Sequence, residues 1–116
     1  MMTEVLTAYL KAGATAAGTR IFPVIAAEGT DKPYLVYQRI TANDENVLSG
    51  DSGLINTRLQ LDAYGSTYAA AQALAAQVDV LMAAWLVQNV SVGAQDFYEQ
   101  DTKLHRVQAD YSIWHS

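Results

Sequence analysis

Hydrophobic positions along this chain switch between two periods. Val5, Leu6, Tyr9 and Leu10 recur at i, i+1, i+4 and i+5, the single apolar stripe of a helix. Thr3 stands where a hydroxyl caps such a helix, and Gly13 and Gly18 loosen its end. Ile21-Phe22-Pro23 reads as a short extended anchor, because Pro23 disfavours helical geometry at Phe22. Gly29 to Pro33 is a turn. Tyr34 to Thr41 is rich in β-branched and aromatic residues and predicts a strand. Ala42 to Gly53 is polar and reads as a long loop.

From Leu54 to Tyr64 the period is two. Ile55, Thr57, Leu59, Leu61 and Ala63 face one way, and Asn56, Arg58, Gln60 and Asp62 the other. Ser66 or Thr67 then caps a second helix, Tyr68 to about Trp85. Leu74, Val78, Leu81, Met82 and Trp85 share one of its faces, and its many alanines favour helix. Val87 to Val92 and Gln95 to Glu99 predict a strand interrupted near Gly93. Leu104 to Trp114 alternates again, with Val107, Ala109, Tyr111 and Ile113 toward the core.

These elements predict one α+β domain over residues 1–116, in the order α-β-β-α-β-β. The expected sheet is four-stranded and mostly antiparallel, with both helices on one face. One spacing repeats on its outward face. Arg58-Leu-Gln60-Leu-Asp62 and Arg106-Val-Gln108-Ala-Asp110 both read Arg-x-Gln-x-Asp. If the two strands are antiparallel neighbours, Arg58 faces Asp110, Gln60 faces Gln108 and Asp62 faces Arg106. Such charge pairs contribute roughly 0.2–1 kcal/mol each. That places these strands at the sheet centre, in strand order 1-2-4-3. Two unrelated amphipathic strands explain the same residues.

Composition narrows the function. The net charge is −5, from 7 Lys+Arg against 12 Asp+Glu. The basic residues are scattered singly, which argues against the clustered cations that DNA binding requires. The N-terminus lacks the basic start of a signal peptide, and no apolar run approaches the ~20 residues of a membrane span. With no cysteine there is no disulfide and no thiolate metal site.

The fragments that resemble chemistry fail on inspection. Gly50-Asp51-Ser52-Gly53 matches the nucleophile segment of chymotrypsin-like proteases, yet both histidines, His105 and His115, follow the serine instead of preceding it. Asp44-x-Asn46 opens like a calcium loop, but Leu48 occupies the third ligand position. Asn89-Val90-Ser91 is a glycosylation sequon inside an expected strand. The two histidines have no metal-ligand spacing, and no phosphate-binding glycine motif is present. We therefore expect no catalytic residue, no metal and no cofactor. The seven tyrosines suit interfaces as well as sheet edges.

One ordered succession remains: Arg20-Ile21-Phe22-Pro23, Pro33-Tyr34-Leu35-Val36-Tyr37-Gln38-Arg39-Ile40, Gly50 with Gly53-Leu54, Arg58-Leu59-Gln60-Leu61-Asp62-Ala63-Tyr64, then Thr67-Tyr68-Ala69 with Leu74-Ala75 and Val78. It resembles the tail-completion (tail-terminator) proteins of long-tailed bacteriophages and gene-transfer particles. The resemblance implies a structural virion protein made in the bacterial host cytoplasm and placed at the head-tail junction. It implies a ring, typically hexameric, that caps the finished tail tube, stops its polymerisation and presents a joining surface to the head connector or stopper. Its partners are then copies of itself, the tube protein and the connector, while genomic DNA passes through without specific binding and no membrane is involved. By the same analogy the 42–53 loop, with Asn43, Asp44, Glu45, Asn46, Asp51 and Ser52, reaches a neighbour, the tube or the lumen. Two rivals stand beside this reading: a head-side stopper, and a cytosolic small-ligand-binding α+β domain.

Overall fold

The computed structural model describes residues 2–13, 15–24, 26, 30–47, 50–101 and 103–115, with side chains described for those between 4 and 40 and between 56 and 114. The elements are α1 (Met2–Ala12), β1 (Ile21–Pro23), β2 (Tyr34–Val47), β3 (Gly50–Gly65), α2 (Tyr68–Ala84), β4 (Asn89–Glu99) and β5 (Leu104–His115). Thr3 falls inside α1 instead of capping it. Thr67 caps α2, its hydroxyl accepting the Ala70 amide at 3.1 Å.

The sheet corrects the expected four-stranded, mostly antiparallel arrangement and the order α-β-β-α-β-β. It has five strands, ordered β1-β2-β3-β5-β4, and it is mixed. The extra strand is the Ile21-Phe22-Pro23 anchor, which lies parallel to β2 with Ile21 beside Leu35, Phe22 beside Val36 and Pro23 beside Tyr37. Three residues are too few to show a period, so alternation could not reveal it. Pro23 lacks an amide to donate and suits the sheet edge where it stands.

The expected loop at 42–53 is also corrected. Strand β2 runs to Val47 and β3 begins at Gly50, with Asn46 beside Asp51 and Val47 beside Gly50. Backbone pairing carries the hairpin on past the residues of strong strand propensity, because the flanking strands already fix the register. The side chains of Asn43, Asp44, Glu45, Asn46, Asp51 and Ser52 lie outside the described residues.

Strands β3 and β5 are antiparallel neighbours. Their register differs from the expected one by two residues: Arg58 lies beside Ser112, Gln60 beside Asp110, Asp62 beside Gln108 and Tyr64 beside Arg106. A two-residue slip leaves every side chain on its own face, so the alternation that identified the strands could not choose between the registers.

Both helices cover one side of this sheet. Leu6 and Leu10 of α1 and Ala71, Leu74, Val78 and Met82 of α2 join one buried cluster with Leu35, Leu59, Leu61, Ala63, Val107, Tyr111 and Ile113. Each buried aliphatic or aromatic side chain of this kind contributes roughly 1.5–3 kcal/mol relative to exposure. Tyr9 ties α1 to α2 by donating its hydroxyl to the Leu81 carbonyl at 2.6 Å and stacking on Trp85 at 5.5 Å. Gly65 lets β3 end directly against the start of α2, where a Cβ would lie 2.7 Å from the Ala71 nitrogen.

Candidate assembly surfaces

The sheet face opposite the helices carries an aromatic and charged cluster. Tyr34 and Tyr64, side by side on β2 and β3, stack at 4.9 Å, and Phe22 meets Tyr34 edge-on at 6.3 Å. Next to them Arg106 lies 4.5 Å from the Phe97 ring centre, 3.9 Å from Asp62 and 4.0 Å from Glu99. Gln60 donates to both Asp62 oxygens at 3.0 and 3.2 Å. Asp62 is only 5% exposed although it faces outward. Burial pushes its carboxyl above the usual range, against the opposing pull of Gln60 and Arg106. Burial likewise raises Tyr34 and Tyr64, with Glu99 adding to both. Arg106 Nε and Asp110 Oδ1 are buried on this face without a hydrogen-bond partner among the described residues.

On the other side, α2 carries few polar residues, Gln72, Gln77 and Asp79 among them. Its core stripe is Ala71, Leu74, Val78 and Met82, yet its solvent side shows Ala69, Ala73, Ala76, Val80, Ala83 and Ala84. Asp79 is its one charge. Just beyond the helix, Leu86 is fully exposed. Apart from Gln77 and Asp79, the exposed side of the helix body offers mainly small apolar side chains, a surface that suits close packing against a neighbour. Between α2 and β4 runs a groove of about 340 Å³, lined by Gln72, Ala75, Asp79, Ser91, Asp96 and Tyr111 among others. Tyr111 donates its buried hydroxyl to Asp79 at 3.0 Å, and burial with the Asp79 charge pushes its pKa well up. Tyr68 and Gln72 reach across the groove to Asp96 at 2.8 and 3.1 Å.

Strand β4 forms one edge of the sheet and is exposed from Val90 to Tyr98. It shifts register between Ser91 and Gly93, as the interruption near Gly93 foretold, and is otherwise one continuous strand. It contains no lysine, arginine or proline, the residues that usually guard an open edge.

Of the outward residues singled out in the sequence, Asp62 and Arg106 meet diagonally instead of directly, and Arg58 stands exposed beside Ser112. Asp110 sits beside Gln60 and, on β4, Gly93. His105 packs against Tyr98 at 4.9 Å and Tyr68 at 5.9 Å. The described residues hold no cluster fit for a metal ion. No described helix is long and apolar enough to cross a membrane. In the sequence the alanines of α2 already permit close packing on a neighbouring subunit, and the single charge of so long a helix agrees.

No curated protein sequence matches the chain. Among solved structures, a chain from the virion of a native gene transfer agent particle superposes with a TM-score of 0.68 at 16% identity, covering 94% of this chain and 92% of that one. At that identity the likeness speaks for the fold. The family model for tail completion protein gp17 matches residues 3–116. The chain therefore belongs to the tail completion protein gp17 family: it is a structural protein of the virion tail and not an enzyme.

Proposed function

We propose that this protein closes into a ring, hexameric by analogy with the tail terminators it resembles, on the end of the finished tail tube. The ring ends tube polymerisation and offers the surface to which the head connector or stopper joins. The observation that carries this reading is the combination of family membership across the chain with three surfaces left uncovered in the single subunit. These are the alanine-rich outer side of α2, the β4 edge free of lysine, arginine and proline, and the sheet face where buried polar atoms lack partners among the described residues. A ring subunit needs two different, mutually complementary surfaces for its neighbours and a third for the tube. A net charge of −5 suits a lumen through which DNA slides, because like charges keep it from sticking.

Tube polymerisation in solution tests this. The purified tube protein is allowed to elongate with and without this protein, and tube lengths are measured by electron microscopy. The reading predicts shortened tubes with extra density at one end. Unchanged lengths with no end density would overturn it, and in a parallel incubation with isolated filled heads, density on the heads instead would make it a head-side stopper.

A further inference from the structure

Among the described residues, both edges of the sheet keep stretches that no strand pairs, and the two edges are different. On one, β4 offers its outward side from Asn89 to Glu99. On the other, β1 covers β2 only at Leu35, Val36 and Tyr37. The strand ends at Pro23, and Val24 follows it with its amide bonded to the Tyr37 carbonyl at 2.8 Å and a φ of 64°, a left-handed conformation that β-branched residues avoid. Among the described residues no strand pairs with that edge of β2 from Gln38 to Val47, a stretch about as long as β4.

We infer that these two edges bind each other in neighbouring copies of this chain, β4 of one subunit lying antiparallel along Gln38–Val47 of the next. The inference rests on the ring reading above and adds to it the surface through which the ring closes.

Strand direction supports it first. Within the subunit β2, β3, β5 and β4 alternate in direction. A rotation about an axis along the strands preserves those directions, so β4 meets the next β2 antiparallel and the alternation runs on unbroken across the boundary. Charge supports it independently. The acidic residues of β4, Asp96 and Glu99, lie at its C-terminal end, and its start, Asn89 to Gln95, is neutral. Antiparallel pairing brings that acidic end to Arg39, at the N-terminal end of the open stretch of β2. The apolar exposure also agrees: Val90 and Val92 on β4, and Ile40 on β2 at the point where β2 shifts register against β3. Such edge-to-edge addition is a common way for one chain to recognise another, with backbone hydrogen bonds supplying affinity.

The test uses two edge-blocking variants of the full chain, Val90→Lys/Val92→Lys and Ile40→Lys. All three side chains are at least 45% exposed, so circular dichroism and melting should show both variants folded. Assembly is followed by native mass spectrometry and sedimentation over a wide concentration range. The wild type is expected to form a ring-sized species, and each variant alone to assemble at least tenfold more weakly. An equimolar mixture of the two is expected to form one-to-one dimers and nothing larger, because each variant keeps one good edge. If both variants still form rings, the edges are not the interface, though the ring reading survives. If Ile40→Lys alone dimerises while the β4 variant does not, β4 pairs with itself and the inference falls. A wild type that never assembles would overturn the ring reading and this inference together.

Discussion

Replacing Asp62 with Asn tests whether the outer face of the sheet is made for stability. Asp62 is 5% exposed, and its charge partner Arg106 lies 3.9 Å away with a side chain that is about one-quarter exposed. At that distance two unit charges attract by about 4 kcal/mol at an effective dielectric near 20, before the cost of taking them from water is counted. Burial outweighs Gln60 and Arg106, because the carboxyl is raised above its ordinary value of 3.8. The sign follows. Between the ordinary value and the raised folded one, the folded state holds more protons than the unfolded chain. The contribution of Asp62 to stability is thus complete below the ordinary value and is lost as pH rises through the folded pKa. Asp62→Asn should therefore stabilise the monomer at pH 7 by about 1 kcal/mol, or about 4 °C in Tm, and the gain should vanish below pH 4. Arg106→Leu should do the opposite. It leaves the buried carboxylate with Gln60 alone and costs about 1–3 kcal/mol, and much of that loss should disappear in the double variant. Urea unfolding followed by tryptophan fluorescence at pH 3.5, 5 and 7, in dilute protein, measures all four corners. A loss of more than about 2 kcal/mol for Asp62→Asn at pH 7, or a difference that does not change with pH, would refute the reasoning.

Other perturbations probe other layers. Leu74→Ala, at a fully buried position of α2, should cost about 2.7–5 kcal/mol in urea unfolding. Gly65→Ala drives a methyl group into the Ala71 backbone and should lower stability by about 1–3 kcal/mol, whereas an Ala at open Gly93 meets no atom within 4 Å and acts only through backbone conformation. Val24→Asn relieves a left-handed β-branched residue and should raise stability by about 1 kcal/mol, measured by thermal melting. Tyr111 has a raised pKa from burial and from Asp79, so its contribution is intact below pH 10 and is lost as pH climbs further. Tyr111→Phe should flatten that alkaline decline, read by unfolding at pH 8 and pH 10.5.

Much of this architecture could be read from alternation. Thr57, Leu59, Leu61 and Ala63 are buried as their period demanded, and so are Val107, Ala109, Tyr111 and Ile113. The Arg-x-Gln-x-Asp repeat brought β3 and β5 together, yet it missed the register by two, because a slip of two keeps each side chain on the same face. β1 reads in the sequence as an extended anchor and not as a strand of the sheet, because three residues carry no period. The polar hairpin looked like a loop because its composition favours turns, while its pairing is decided by the strands that enter it. The repeat puts Asp62 on the outward face opposite Arg106, and its alternation gives no sign that it is buried. Its burial comes from the neighbours Gln60, Arg106 and Val36, which only the fold assembles. The surfaces proposed for assembly were half-legible: the lack of charge on α2 was in plain view, whereas the open edges of β2 and β4 follow from strand order and so needed the fold.

The central claim, that this protein ends the tail tube and prepares it for the head, is tested most directly by electron microscopy of particles made without it. The account predicts tails of excessive and variable length with no heads attached, alongside filled heads. Tails of normal length joined to heads would contradict it.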